Sequence, residues 1–170
     1  MVTTVSVQAG KPHPFKWLHL IISILITEGI AVTASMFTVS QIPVWYSTLN
    51  KPSFNPPNWL FGPVWTTLYL LIAISAYLVW RQRNDSELYK KARAAYFIQL
   101  VLNFGWSAVF FGMHQVLGAL VVIGLLWVSI IAMIYYFGQF NKIAAWLLVP
   151  YLLWVSFASV LNLYIYLLNR

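Results

Sequence analysis

Five apolar stretches, each long enough to cross a bilayer, constrain this chain more than any other feature. They run over 17–39, 59–80, 94–112, 116–137 and 144–168. Each holds roughly 19 to 25 residues, against the roughly 20 that a helix needs to cross the hydrocarbon core. In lipid every backbone N–H and C=O must find a partner within the protein, so runs of this length read as helices. The expected fold is an all-α integral membrane bundle of five transmembrane helices. A polar tail over 1–16 precedes one membrane domain over 17–170. Composition agrees: 61% of residues are hydrophobic, 8% are charged and the mean hydropathy is +0.77. A soluble domain of 170 residues has no interior large enough for that much apolar surface. The first run exceeds the apolar core of a signal peptide and is expected to stay as a true span.

A net charge of +7 would suggest nucleic acid in a soluble protein. Here the basic residues sit at helix ends and in one loop, without a basic stripe, so no nucleic-acid partner is expected. Five spans put the termini on opposite sides. Lys11, Lys16, Arg81, Arg83, Lys90, Lys91, Arg93 and Lys142 fall on one side; Lys51 and Arg170 fall on the other. That bias over short loops places the N-terminus inside and the C-terminus outside, with the Trp45–Asn58 loop facing outward. There is no Cys, so neither disulfides nor thiolate metal sites arise. His13 and His19 lie at one end of the bundle and His114 at the other, so no metal site is expected.

The Trp45–Asn58 loop carries Pro52, Pro56 and Pro57 among several aromatic residues. Loops this long tend to be lids, binding segments or disorder. Disordered segments are poor in aromatics, and each Pro cuts the freedom of the chain before folding. The loop therefore reads as an ordered cover over something within the membrane.

Three spans carry aromatic-and-amide faces at helical spacing. The third has Gln99, Asn103 and Trp106; the fifth has Tyr151, Trp154, Ala158 and Asn162; the second has Trp65 and Tyr69. Carboxamides in hydrocarbon seek partners, so these faces should turn into the bundle. They are either helix–helix ties or the wall of a cavity for a flat, apolar ligand. Glu28 is the one acidic residue inside a span. It needs a partner helix, a water-filled cavity or a proton. It is either hydrogen-bonded to a neighbouring helix or engaged in ligand or proton handling.

Several segments together resemble the TspO/translocator protein family, the tryptophan-rich sensory proteins also called peripheral-type benzodiazepine receptors. In the first loop these are Trp45-Tyr46, Leu49-Asn50-Lys51-Pro52-Ser53-Phe54, Pro56-Pro57-Asn58-Trp59 and Gly62-Pro63-Val64-Trp65-Thr66. The likeness continues through Gln99-Leu100, Leu102-Asn103, Trp106, Phe110-Phe111-Gly112 and Gln115. It resumes in Val149-Pro150-Tyr151-Leu152, Trp154, Phe157-Ala158 and Leu161-Asn162.

The resemblance implies a five-helix bundle, usually a homodimer in the lipid bilayer, with the first loop closing an internal pocket. It implies a porphyrin or haem ligand with no bound cofactor, a sensory or transport role, and here a bacterial or archaeal cell membrane. Trp65 and Trp154 match the two tryptophans linked to light- and oxygen-dependent porphyrin breakdown, so an enzyme is the alternative to a receptor or carrier. Tyr46, Asn103, Trp106 and Ala158 match other pocket-lining positions, and Tyr69 joins them by sharing a face with Trp65. Two positions depart from the family pattern. Leu163 follows Asn162 where the sterol motif has Tyr, and Glu28 stands where a small or apolar residue is expected.

Overall fold

The computed structural model describes residues 12–170. Most of the expected tail, including Lys11, lies outside the described residues. Helix α1 spans Trp17–Gln41, α2 Phe61–Trp80, α3 Glu87–Ser107, α4 Val116–Gly138, α5 Lys142–Leu147 and α6 Val149–Leu168. No strand occurs among the described residues. Five helical segments are long and apolar enough to cross a membrane, the last of them running over α5 and α6 together. Large apolar side chains stay exposed along them, such as Leu25 and Met36 on α1, Val121 and Val128 on α4, and Leu153 on α6. A helix apolar on every side is at home only where lipid is the solvent.

The helices form a ring. α1 packs against α2 and α3, α3 against α4, α4 against α6, and α2 closes the ring mainly through α5. Ser75 on α2 donates to the Ala144 carbonyl of α5 at 2.7 Å. At one end, called the basic end below, the segment before α1 is pinned to the end of α2. His13 N–H donates to the Arg81 carbonyl at 2.8 Å, and Lys16 N–H to the Tyr77 hydroxyl at 2.8 Å. At the other, the loop end, Asn50 N–H donates to Asn169 Oδ1 at 2.9 Å and Asn169 Nδ2 returns a bond to the Asn50 carbonyl. This pair fastens the long loop to the end of α6.

Local chemistry sets the boundaries. Ser86 caps α3 by accepting from Tyr89 N–H, and Asn141 caps α5 by accepting from Ile143 and Ala144 N–H. Pro63 sits in the first turn of α2, where its missing N–H costs nothing. The third span begins at Glu87, seven residues before the expected edge at 94. It ends in a π-helical turn over Ala108–Gly112 rather than as plain α-helix. A Cβ on Gly112 would meet the Phe37 ring at 3.0 Å, so glycine lets α1 approach there.

The fifth span is the main departure from expectation. The apolar run over 144–168 reads as one helix, but Leu148 breaks it between α5 and α6. Pro150 has no N–H to donate back into α5 and its ring crowds the preceding turn, so the helix must restart.

Candidate functional site: an aromatic cavity under the loop

A cavity of about 480 Å³ opens between α1, α2, α3 and α6 at the loop end. Tyr46, Asn58 and Trp59 from the loop region contribute to its wall. All seven sequence-predicted positions line it: Tyr46, Trp65, Tyr69, Asn103, Trp106, Trp154 and Ala158. Pocket wall and helix tie turn out to be overlapping roles. The Tyr69 hydroxyl donates to Asn103 Oδ1 at 2.7 Å, and Asn103 Nδ2 donates to the Tyr151 hydroxyl at 2.8 Å. The Tyr151 hydroxyl in turn donates to Gln99 Oε1 at 3.0 Å. This chain joins α2, α3 and α6 beneath the cavity. Higher up, Trp106 Nε1 donates to Asn162 Oδ1 at 3.1 Å, and Asn162 Nδ2 to the Val116 carbonyl at 3.0 Å.

The indoles are held by aromatic neighbours. Trp65 lies 5.8 Å from Tyr69 and meets Tyr151 edge-on at 6.3 Å. Trp106 stacks on Phe110 at 5.4 Å. Trp154 packs between Phe61 at 6.0 Å and Phe157 at 5.5 Å. Trp106 has its hydrogen bond, but Trp154 Nε1 is buried with no partner. A buried donor without a partner costs free energy.

The loop is braced internally. Tyr46 is buried and donates to Asn55 Oδ1 at 2.7 Å. Burial pushes its phenol up to about 12, so it remains a neutral donor through the working pH range. The Lys51 ammonium donates to the Tyr46 carbonyl at 2.7 Å and the Leu49 carbonyl at 2.8 Å, and lies 4.9 Å above the Tyr46 ring.

Glu28 lines the same cavity from α1. Among the described residues its carboxyl has neither a hydrogen bond nor a salt bridge, so the tie to a neighbouring helix is not formed. Glu28→Gln is therefore expected to leave the melting temperature unmoved and porphyrin affinity within about twofold, because there is no ion pair for the amide to break. A loss beyond tenfold in a porphyrin titration would assign the carboxylate a working role. Residues that sequence reasoning passed over also form the wall: Ala34, Ser35 and Thr38 on α1, and Phe61, Phe110 and Phe111. Of these, Phe110 and Phe111 fall in a segment that carries the family resemblance.

Histidine plays no part in this cavity. His114 adopts φ 56°, stacks on Trp45 at 4.3 Å and bonds Gln41 at 3.1 Å, all in the turn before α4. No group of three metal-ligating side chains occurs among the described residues.

The sequence profile of the TspO/MBR family matches residues 22–168, nearly the whole of the described bundle. The chain belongs to this family. It is 47% identical over 154 residues to the tryptophan-rich protein TspO of Archaeoglobus fulgidus, covering 89% of this chain and 97% of the relative. It is 40% identical over 118 residues to the tryptophan-rich sensory protein of Cereibacter sphaeroides, covering 69% of this chain and 72% of that protein. The translocator protein of Homo sapiens is 40% identical over 119 residues, covering 69% and 70%. Family and fold together make this a multi-pass integral membrane protein.

Proposed function

We propose that the protein is a receptor or carrier that binds porphyrin-like tetrapyrroles, or other flat apolar molecules, in the cavity under the loop. One observation carries this reading. Three indoles from three helices, Trp65, Trp106 and Trp154, wall a single cavity, with a fourth, Trp59, at its loop side. The volume of about 480 Å³ lies in the range of small-molecule sites, which combine apolar walls with a few placed polar groups. Stacking on indoles and apolar burial would supply most of the affinity. The names of the relatives, a sensory protein and a translocator, fit a signalling or transport role. We expect it to act as a homodimer in a bacterial or archaeal cell membrane, N-terminus inside.

A second reading is favoured by one feature: Trp65 and Trp154 share the same cavity. In that reading the two indoles join an oxygen-dependent photo-oxidation of the bound porphyrin. A porphyrin titration on purified protein, in darkness and then under light, tests both. Saturable quenching of tryptophan emission in the dark is expected, and its absence would overturn the binding reading. Loss of the Soret band that needs protein, light and oxygen together would favour the enzyme.

Replacing either indole by Phe keeps most of the volume. For a binding role, Trp65→Phe or Trp154→Phe is expected to weaken porphyrin affinity by about 1 kcal/mol, near fivefold. For a redox role, either change should abolish light-driven loss and barely move affinity, since phenyl is harder to oxidise. A double variant with both properties intact would leave only packing.

A further inference from the structure

A second cavity, of about 230 Å³, lies at the basic end between α1, α2 and α3. It shares no wall residue with the first. Thr27 and Tyr96 bridge α1 and α3 between the two cavities with a hydrogen bond of 2.8 Å. Most of its wall is apolar, with Ile22, Ile26, Val79 and Phe97 among its residues. Its polar side chains are His19, Ser23, Tyr77, Tyr89, Arg93 and Tyr96, of which Arg93 alone carries a fixed charge.

The charge at this cavity is unbalanced. No acidic side chain lines it, and the one salt bridge among the described residues joins Lys90 to Glu87, leaving Arg93 unpaired. Segment 81–93 holds five cations, Arg81, Arg83, Lys90, Lys91 and Arg93, against Asp85 and Glu87. His19 Nδ1 is buried without a partner. Its ring stacks on Trp80 at 4.5 Å, and the Arg83 guanidinium lies 4.0 Å from the same indole. The site thus pairs an exposed, unneutralised cation with an aliphatic wall.

We propose that this cavity binds an anionic amphiphile, with its carboxylate or phosphate head on Arg93 and its aliphatic chain against Ile22, Ile26 and Phe97. Guanidinium grips such heads through two parallel charge-assisted hydrogen bonds. A neutral chain would use the wall but leave the cation idle. The positive-inside expectation puts this end in the leaflet where anionic lipids gather.

The test uses full-length protein in neutral phosphatidylcholine nanodiscs, with dibrominated stearate as quencher of the Trp80 emission, defined by difference from Trp80→Phe. Saturable quenching is expected, at least tenfold weaker for the methyl ester of the same acid. Arg93→Gln should weaken the acid at least tenfold at unchanged melting temperature, and Arg93→Lys, which keeps the charge but loses the two-pronged grip, should weaken it by less. Brominated phosphatidic acid run in parallel separates the sources. Quenching by stearate alone names a free fatty acid, and quenching by phosphatidic acid names a leaflet lipid; either supports the site. Equal quenching by acid and ester, or an unmoved affinity in Arg93→Gln, would overturn it.

Discussion

Replacing Asn103 by Leu is expected to cost about 2–4 kcal/mol of stability, read as a drop in melting temperature in detergent. Leu keeps the heavy-atom count and branching of Asn and is no smaller, so the loss comes from hydrogen bonding and not from a void. The buried Tyr69 hydroxyl loses its acceptor, and Tyr151 loses a donor while keeping its bond to Gln99. An orphaned buried polar group costs roughly 1–3 kcal/mol. A chain unfolded within the bilayer finds some replacement partners, which holds the effect toward the lower figure. Adding Tyr69→Phe to this variant should recover part of the loss, because it removes the stranded hydroxyl. An unmoved melting temperature would show that this network does not tie α2, α3 and α6 together.

The second large effect concerns the loop. Lys51→Met keeps the aliphatic stem and removes the ammonium that holds the Tyr46 and Leu49 carbonyls. Charged donors contribute roughly 1.5–3 kcal/mol each, so loop opening should become at least tenfold more frequent. Porphyrin release, followed by recovery of tryptophan emission after dilution, is expected to speed up by about that factor. Melting temperature should move little, because the bundle below the loop is untouched. An unchanged release rate would mean that the loop does not gate the cavity.

Several features of this protein are local and therefore readable along the chain. The five spans follow from run length and composition, since crossing a bilayer needs about 20 apolar residues wherever the helix sits. The faces of Gln99, Asn103 and Trp106, of Trp154 and Ala158, and of Trp65 and Tyr69 follow from the 3.6-residue period. An ordered first loop follows from Pro52, Pro56 and Pro57 among aromatics.

Tertiary packing decided the rest. A hydropathy window averages over Pro150, so the break at Leu148 is invisible to it, although the missing N–H is local. Periodicity says which residues share a face but not which faces meet. That Trp106 would bond Asn162, and Asn103 both Tyr69 and Tyr151, depended on helix order and rotation. Glu28 shows the limit clearly: its place in a span was plain, but its turn toward the cavity was set by how α1 lies on α2 and α3. The anchoring of the loop to Asn169 joins residues 119 positions apart. Local sequence carries no information about such pairs, because they form only when packing brings distant helix ends together.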